Sequence, residues 1–310
     1  MKILVAGAKG LVGSGISSTL EQHGFNVIRL SRNEVDLEDK KATLEYLSDL
    51  KPRVVVDAAA RVGGVLANNT FPVDFLMQNL QIQMNLMNAA YLAKVSRFVF
   101  LGSSCIYPRS SPQPIQEVEL MAGPLESTNS AYSIAKIAGI ELIKAYRKQF
   151  NLEWISLIPT SLYGPNDNFS VADGHVIPSM IRKFITARES GLESVTLWGD
   201  GSPLREFLYI SDLAEALICC LSNYDSMMPL NIGSGQEISI KSLADKIVEL
   251  VGYEGKLIWD KNKPNGTPRK LLDSSRIKKL GWAPRVRLEE GLVQTIDWYR
   301  ANLELGSVRL

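Results

Sequence analysis

The chain has 310 residues with 34 basic and 33 acidic side chains, and its formal net charge of +1 gives no support for a nucleic-acid or membrane-surface partner. Its length allows one large or two modest domains. The three cysteines, two of them adjacent at Cys219 and Cys220, do not form a disulfide framework and favour the reducing cytoplasm. The first apolar run is too short for a signal peptide, no stretch reaches the about 20 apolar residues of a membrane span, and no metal site is predicted.

A glycine-rich loop follows the first predicted strand. Lys2–Ala6 is a short apolar strand, Gly7–Gly13 has a G-x-x-G-x-x-G spacing, and Ser14–His23 is a predicted helix. Such glycines let the backbone turn tightly and approach a pyrophosphate, and the helix N-terminus offers it free N–H groups. This position favours a dinucleotide site over a plain tight turn. The expected contacts are Gly7, Lys9, Gly10, Leu11, Val12 and Gly13.

The end of the next strand indicates which dinucleotide binds. Asn26–Leu30 is followed by Ser31 and Arg32, where an NAD site would place an acidic residue for the ribose 2′-hydroxyl. Lys9 and Arg32 are instead two cations that suit a 2′-phosphate, with two solvated surface charges as the alternative interpretation. The sequence therefore predicts NADP(H). A short third strand is expected before Asp36.

Apolar strands alternate with helices through the first half of the chain. Strands are predicted at Arg53–Asp57, Arg97–Phe100 and Glu153–Leu157, and helices at Asp74–Lys94 and Ser130–Phe150. This alternation predicts an α/β fold, a Rossmann-like doubly wound parallel sheet. Ligands bind beyond the carboxyl ends of the strands in such sheets.

Side chains suited to chemistry crowd the turn LGSSCIYP, which leaves one of these strands. The turn holds Ser103 and Cys105, although a serine-rich turn with a buried cysteine is the simpler interpretation. Tyr132 and Lys136 are four residues apart, so they share one face of a predicted helix. A serine, a tyrosine and a lysine that meet beside a nicotinamide resemble the reductase triad of the short-chain dehydrogenases.

The second half of the chain is predicted to be mostly helical. Its predicted elements are a helix opening at His175, a strand at Val195–Trp198, a helix at Leu213–Leu221 capped by Ser211 and Asp212, a strand at Pro229–Gly233, and helices at Ser242–Val251, Ser274–Leu280 and Leu288–Leu303. Gly199–Phe207 and the basic segment Asn265–Lys270 are predicted loops. We expect a Rossmann domain at residues 1–164 with a return segment at about 206–236. Residues 165–205 and 237–310 are expected to form a smaller, mostly helical substrate-binding domain.

Several longer motifs narrow the resemblance to one family. The motifs GSSCIYP, AYSIAK, PTSLYGPNDNF, HVIP, REF and KPNGTPRKLLD resemble the GDP-L-fucose synthases, which are extended short-chain reductases, over nearly the whole chain. Cys105 two residues after Ser103, together with His175 before Val-Ile-Pro, is the specific part of this resemblance. Ser161 departs from the family, whose motif usually has asparagine there, and a serine has a shorter reach and fewer donors.

The family resemblance implies a role for each motif residue. Ser103, Tyr132 and Lys136 would reduce the C4 ketone of a GDP-4-keto-6-deoxy sugar, with Lys136 lowering the pKa of Tyr132. Cys105 and His175 would epimerise the neighbouring carbons by proton transfer. Further implied cofactor contacts are Asp36, Leu37, Leu101, Gly102, Lys136, Pro159, Thr160, Leu162 and His175. Implied substrate contacts are Ser104, Lys183, Trp198, Arg205 and Asp273.

Three other readings of the same residues stay open at this point. A GDP-L-colitose-forming relative would invert only one carbon, and its acid and base would have the same motifs. A 4,6-dehydratase is disfavoured because Cys105 stands where that chemistry places an acidic pair. A silent NADP-binding sensor is disfavoured because Tyr132 and Lys136 are both present. The fold analogy also implies a homodimer.

Overall fold

The protein is described by a computed structural model that covers residues 1–263 and 265–310. Its strands are β1 Lys2–Ala6, β2 Asn26–Leu30, β3 Val54–Asp57, β4 Arg97–Leu101, β5 Ile155–Pro159, β6 Ser161–Tyr163, β7 Ser194–Trp198, β8 Leu204–Tyr209, β9 Leu230–Ile232, β10 Glu237–Ser239, β11 Lys256–Asp260 and β12 Arg269–Lys270. Its helices are α1 Leu11–Gln22, α2 Lys40–Leu50, α3 Val65–Thr70, α4 Pro72–Leu92, α5 Ser130–Phe150, α6 Val176–Glu189, α7 Ile210–Asn223, α8 Ile240–Val251, α9 Ser275–Lys279 and α10 Leu288–Glu304.

The main sheet has six parallel strands in the order β2-β1-β3-β4-β5-β9. Its strands are continuous apolar runs because helices cover both faces. Ile3 and Val5 pack into the core on one face, whereas Leu4 and Ala6 pack into the core on the other. The strand order reverses between β1 and β3, which is where such sheets bind ligands. The predicted Rossmann-like α/β fold is confirmed.

A second group of elements forms its own core beside this sheet. Strand β8 pairs with β6, β10 and β12, and β7 pairs with β11. The hydrophobic core of this group combines aliphatic side chains with aromatic ones, among them Phe169, Phe184, Phe207 and Tyr299. The proposed domain boundary at residue 164 and the return segment at 206–236 stay predictions. Within the part of the chain that the structure describes, no helix is both long and apolar enough to cross a membrane.

One predicted strand and one predicted loop were wrong. No strand lies between β2 and Asp36, because Glu34 folds back to accept the N–H and hydroxyl of Ser31 at 2.8 and 2.6 Å. These local bonds satisfy the backbone in a turn instead of a ladder. Gly199–Phe207 is not all loop, since β8 begins at Leu204 and pairs with three strands.

The predicted cap of α7 was also wrong. The helix begins at Ile210, so Ser211 and Asp212 lie inside its first turn. The Asp212 carboxylate instead accepts the backbone N–H groups of Arg285 and Val286 at 2.9 and 3.1 Å. This side chain therefore ties the segment before α10 to α7.

Candidate active site

The loop between β1 and α1 has the shape of a phosphate cradle. Gly7 has a φ of +78°, and a Cβ there would lie 2.6 Å from the carbonyl oxygen of Ala58. A Cβ on Gly13 would collide with the backbone of Gly7, whereas a Cβ on Gly10 would make only an ordinary contact, 3.5 Å from the carbonyl oxygen of Gly7. Gly10 is the N-cap of α1 without a side-chain cap, so the N–H groups of Leu11 and Val12 remain available to an anion. The residues present therefore fit a dinucleotide pyrophosphate.

Lys9 and Arg32 lie at the same edge of the sheet. Ala8 donates its N–H to the carbonyl of Leu30 at 2.9 Å, which places the glycine loop against the end of β2. Both cations are exposed, and Arg32 forms an ion pair with Glu38 at 3.4 Å. Hydrogen bonds from Ser31 lower the pKa of Glu34, and the charge of Lys9 lowers it further. Two carboxylates thus accompany the two cations, which the sequence analysis did not anticipate.

The next predicted cofactor contacts, Asp36 and Leu37, are held by neighbouring elements. The Asp36 carboxylate accepts the N–H of Glu38 at 3.0 Å. Leu37 is buried, and its carbonyl accepts the side-chain amide of Asn85 on α4 at 2.8 Å. This anchors the segment after β2 beside the mouth of the glycine loop.

Close packing of α5 on β4 positions the reductase residues. A Cβ on Gly139 would collide with the ring of Phe100, so only glycine lets the helix approach the strand this closely. Lys136, one turn earlier, is buried and donates to the carbonyl of Leu101 at 3.0 Å. Tyr132 lies one further turn back on the same helix, as predicted from the spacing.

Ser103 and Tyr132 face each other. The Ser103 side chain caps a short 3₁₀ helix, Ser104–Ile106, and accepts the N–H of Cys105 at 3.3 Å. Burial raises the pKa of the Tyr132 phenol and the nearby Cys105 adds to the rise, while a hydrogen bond with Ser103 opposes it.

Lys136 does not depress the pKa of the phenol in this arrangement, so the expectation that it does was wrong. Its ammonium is bonded to Leu101 and lies 4.7 Å from the centroid of the Phe100 ring. Burial lowers the pKa of Lys136, and the negative charge of Asp57 partly restores it.

Asp57 is a buried carboxyl group close to this lysine. It ends β3, is paired in register with Phe100, and has one oxygen with no hydrogen-bond partner among the described residues. Burial raises the pKa of Asp57 to about 6, with Lys136 and the N–H of Ala59 opposing the rise. The sequence analysis recognised Asp57 only as the end of a strand.

Cys105 is half-buried in the turn after β4, and several charges converge on its sulfur. Ser133 on α5 donates to its carbonyl at 2.8 Å, which locks the turn onto the helix. The Lys270 ammonium lies 3.4 Å from its sulfur. Burial acts to raise the pKa of the Cys105 thiol, but Lys270, Ser103 and His175 together lower it below its usual range.

His175 precedes α6 and comes from a distant part of the chain. Its Nδ1 lies 3.9 Å from a carboxylate oxygen of Asp167. Burial acts to lower the pKa of His175, but Asp167 and Cys105 outweigh it and raise this pKa, against an opposing effect of Arg309. His175 and Cys105 are thus near enough for each charge to affect the other.

The Asp167 loop is itself fixed by the end of the chain. Asp167 is buried, and its Oδ1 accepts the N–H of Asn168 at 2.7 Å. Phe169 donates its N–H to the carbonyl of Arg309 at 2.8 Å, and Arg309 donates its guanidinium to the carbonyl of Asn166. These bonds hold the carboxylate beside the imidazole.

The predicted substrate contacts fall into separate places. Arg205 on β8 is paired in register with Lys270 and is close enough to Cys105 for an electrostatic interaction. Lys183 on α6 lines a cavity of about 390 Å³ together with residues of β7, and Trp198 ends that strand with 42 % of its surface exposed. Asp273 is engaged locally, since its carboxylate accepts the N–H of Ser275 at 2.8 Å.

The other predicted contacts lie along the carboxyl edge of the sheet. Gly102 donates its N–H to Leu157 at 2.8 Å, and Thr160 donates its N–H to Ile232 at 2.9 Å. Pro159 ends β5, Leu162 packs on the main core, and Ser104 is buried in the 3₁₀ turn. Among the described residues, no hydrogen bond joins Asp273 or Trp198 to Cys105.

Two residues of this centre escaped the sequence analysis. Lys270 stood in the basic segment and family motif KPNGTPRKLLD without a role, and Asp167 stood in the motif PTSLYGPNDNF without a role. Local sequence spacing could not reveal Lys270, because its partner Cys105 lies 165 residues away. It could not reveal Asp167, because the approach of Asp167 to His175 depends on how the intervening loop folds.

Comparison with known proteins places this geometry in a family. Residues 3–233 match the profile of the NAD dependent epimerase/dehydratase family. The chain is 52 % identical over 303 residues to GDP-L-fucose synthase 1 of Arabidopsis thaliana, covering 97 % of this chain and 94 % of that protein. It is 38 % identical to GDP-L-colitose synthase of Yersinia pseudotuberculosis, covering 96 % and 98 % respectively.

A solved structure gives the same assignment. A GDP-L-fucose synthetase of Naegleria fowleri bound to NADP has a TM-score of 0.91 and 28 % identity, covering 100 % of this chain and 96 % of that one. The chain belongs to the NAD dependent epimerase/dehydratase family. Within that family, the resemblance to GDP-L-fucose synthases is confirmed over nearly the full length.

Proposed function

We propose that this protein converts GDP-4-keto-6-deoxy-D-mannose to GDP-L-fucose by epimerising C3 and C5 and then reducing the C4 ketone with NADPH. The observation that carries the proposal is one cluster at the carboxyl edge of the sheet. In it the Cys105 thiol and the His175 imidazole are close enough to shift each other's pKa, beside Ser103 and Tyr132. The 52 % identity with a plant GDP-L-fucose synthase supports it.

Epimerisation uses the acidity of hydrogens next to a ketone. At C3 or C5, the carbons next to the C4 ketone, Cys105 as thiolate removes a proton from one face. His175 as imidazolium returns a proton to the opposite face. The negative charge that develops on the C4 oxygen accepts hydrogen bonds from the hydroxyls of Ser103 and Tyr132. Against the effect of burial, Lys270 lowers the pKa of Cys105, which favours the thiolate, and Asp167 raises the pKa of His175, which favours the imidazolium.

Reduction uses the same carbonyl. NADPH, when bound, supplies the hydride to C4. Tyr132 gives its phenolic proton to the C4 oxygen, and its raised pKa means that it is protonated and ready to do so. Lys136 lies one turn further along α5, and its charge interacts with the carboxyl of Asp57. One set of hydroxyls therefore serves both reactions.

The remaining site residues are assigned to binding. The glycine loop holds the pyrophosphate of NADP(H), and Lys9 and Arg32 face its 2′-phosphate. The nearby segments at Asp36–Leu37, Leu101–Gly102 and Pro159–Leu162 line the rest of the dinucleotide. Ser104, Lys183, Trp198, Arg205 and Asp273 hold the GDP-sugar, with Lys183 in the cavity of about 390 Å³.

The test is product identification with GDP-4-keto-6-deoxy-D-mannose and NADPH in deuterated water. We expect NADPH oxidation and GDP-L-fucose carrying deuterium at both C3 and C5 by NMR. Deuterium at C5 alone would support the colitose-type alternative, and no NADPH oxidation would support the sensor. Tyr132→Phe is the matched variant, which should still exchange deuterium while losing most reduction.

Three further properties belong to this proposal. The protein forms a homodimer through α4 and α5, since Val73 and Met77 on one face of α4 are 64 % and 63 % exposed and Ile134 on α5 is half exposed. Measurement of the mass in solution, with Met77→Glu as the disrupting variant, tests this.

The protein acts in the cytoplasm, where the Cys105 thiol stays reduced. Residues 1–164 with about 206–236 bind the cofactor, and the remainder binds the sugar nucleotide.

A further inference from the structure

Three cations or potential cations and one phenol, from distant parts of the chain, surround the Cys105 sulfur. Lys270 on β12 is in direct contact at 3.4 Å. Arg205 on β8, His175 before α6 and Tyr132 on α5 are near enough to interact with it electrostatically. Of these four side chains, only that of Lys270 makes a hydrogen bond to the sulfur.

Among the described residues, neither Arg205 nor His175 makes a hydrogen bond to the sulfur. Arg205 donates its guanidinium to the carbonyl of Leu204 at 2.8 Å. His175 is paired with Asp167 and must give up its proton during the proposed reaction. Lys270 makes no ion pair with a carboxylate within residues 1–263 and 265–310. Its charge is therefore directed at the sulfur.

The backbone fixes Lys270 in this place. Its strand is paired with β8, and Leu271 donates its N–H to the side chain of Gln113 at 2.8 Å. Ile115 donates its N–H to Leu271 at 2.7 Å, and Asp273 donates its own to Ile115 at 2.8 Å. The lysine therefore sits between anchored residues, and its half-buried side chain reaches back to the turn after β4.

We propose that Lys270 is a positioning residue that holds Cys105 as an oriented thiolate before substrate binds. The inference rests on the proposed function, in which Cys105 is the base. A thiolate, not a thiol, accepts a proton from carbon. A cation within 4–6 Å stabilises the anion and lowers its pKa by about 1–3 units. Lys270 keeps its own proton throughout, because the sulfur gains one from the substrate and His175 supplies the one returned.

Alkylation of Cys105 by iodoacetamide tests the charge without any substrate. The rate is measured against pH, with peptide mass spectrometry to separate Cys105 from Cys219 and Cys220. In Lys270→Met the pH midpoint of the Cys105 alkylation rate should rise by about one unit or more, and the alkylation rate near pH 7 should fall about tenfold. Lys270→Arg should restore the wild-type midpoint. Lys279→Met, which removes an exposed lysine of α9, is the matched control and should match wild type.

Deuterium exchange then tests the consequence for the reaction. Lys270→Met should slow deuterium exchange at C3 and C5 of the keto sugar. In the pH profile of the exchange rate, the rise on the acid side should move to higher pH. Oxidation of GDP-L-fucose by NADP⁺, which needs no epimerisation, should change much less. Circular dichroism establishes that each variant is folded.

The outcomes separate the two claims. A folded Lys270→Met protein with an unshifted alkylation midpoint would refute the role of Lys270. So would a shifted midpoint with unchanged exchange, because the thiolate would then not limit the reaction. A wild-type protein that does not process the keto sugar would refute the proposed function, while the alkylation result would still decide whether Lys270 sets the charge of Cys105.

Discussion

Two regions of the site differ in how their side chains are held. The reduction region is compact, since Tyr132 and Lys136 lie on α5 and Ser103 lies on the turn that α5 packs against. The epimerisation region joins that turn to β12 and to the segment before α6. One region depends on a single helix packed on one strand, whereas the other depends on the mutual placement of distant segments.

The difference lies in electrostatics as well as in chain connectivity. Burial raises the pKa of Tyr132, so the reduction region keeps a neutral proton donor. Against the effect of burial, opposite charges lower the pKa of Cys105 and raise that of His175, so the epimerisation region favours a charged base and a charged acid. Variants that remove a charge beside Cys105 or His175 should therefore affect epimerisation more than reduction.

The largest effect is expected from Cys105→Ser. The change is nearly isosteric, so the fold should remain, but a hydroxyl is a far weaker base than a thiolate. Exchange of deuterium into C3 and C5 should fall by about 10²–10⁴-fold, the usual contribution of a positioned proton-transfer group. Oxidation of GDP-L-fucose by NADP⁺ should survive in part, because Ser103, Tyr132 and Lys136 are unchanged.

Cys219→Ser provides the control, since that cysteine lies on α7 with its sulfur near the carbonyl of Leu280. It should leave both activities at the wild-type level. Undiminished deuterium at both carbons in Cys105→Ser would show that Cys105 is not the base and would leave it a turn cysteine.

The second largest effect is expected from the residues proposed to bind the cofactor, and it should slow the reduction step. Replacing Lys9 and Arg32 together with methionine removes two charge-assisted contacts to a 2′-phosphate, each of which contributes about 1.5–3 kcal/mol. The KM for NADPH should rise at least about tenfold per residue, while that for NADH should change little. Initial-rate kinetics with both cofactors measures the ratio. Equal losses for NADPH and NADH would mean that these cations do not recognise the phosphate.

How much could be predicted from the sequence follows the same division. The glycine loop, the six-stranded sheet and the Tyr132–Lys136 spacing are local patterns, and they predicted the sheet and the placement of these residues correctly. The family motifs pointed to Cys105 and His175, and the fold brings them together. The charges around them, Lys270 and Asp167, could not be predicted because they depend on pairing between β8 and β12 and on a folded loop.

The errors have a related cause. Ser31–Asp36 was expected to contain a strand because short apolar segments give weak signals, and the side-chain bonds of Glu34 decided against it. Gly199–Phe207 was expected to be a loop because of its glycines and proline, yet β8 begins within it and gains three partner strands. Lys136 was expected to depress the pKa of Tyr132, whereas burial of the phenol dominates.

The smallest of these effects, and the one that probes the charge of His175 most directly, is expected from Asp167→Asn. Asp167 acts to raise the pKa of His175, so removing its charge should lower that pKa. Because His175 is partly exposed, we expect a shift of roughly one unit, the low end for an opposite charge at this range. Asp173→Asn, on the exposed part of the same loop, is the matched control.

The sign of the pH dependence follows from the role of the imidazolium. Exchange requires thiolate and imidazolium together, so the rate rises as Cys105 loses its proton and falls as His175 loses its proton. In Asp167→Asn the fall should begin at lower pH, so exchange should decrease several-fold on the alkaline side and little on the acid side. The chain has only two histidines, so NMR titration reports both, with His23, paired with Glu215 at 3.5 Å, as the internal reference. A His175 midpoint that does not move relative to His23 would show that Asp167 does not sustain the imidazolium, and the epimerisation region would then depend on Lys270 and Cys105 alone for its charge.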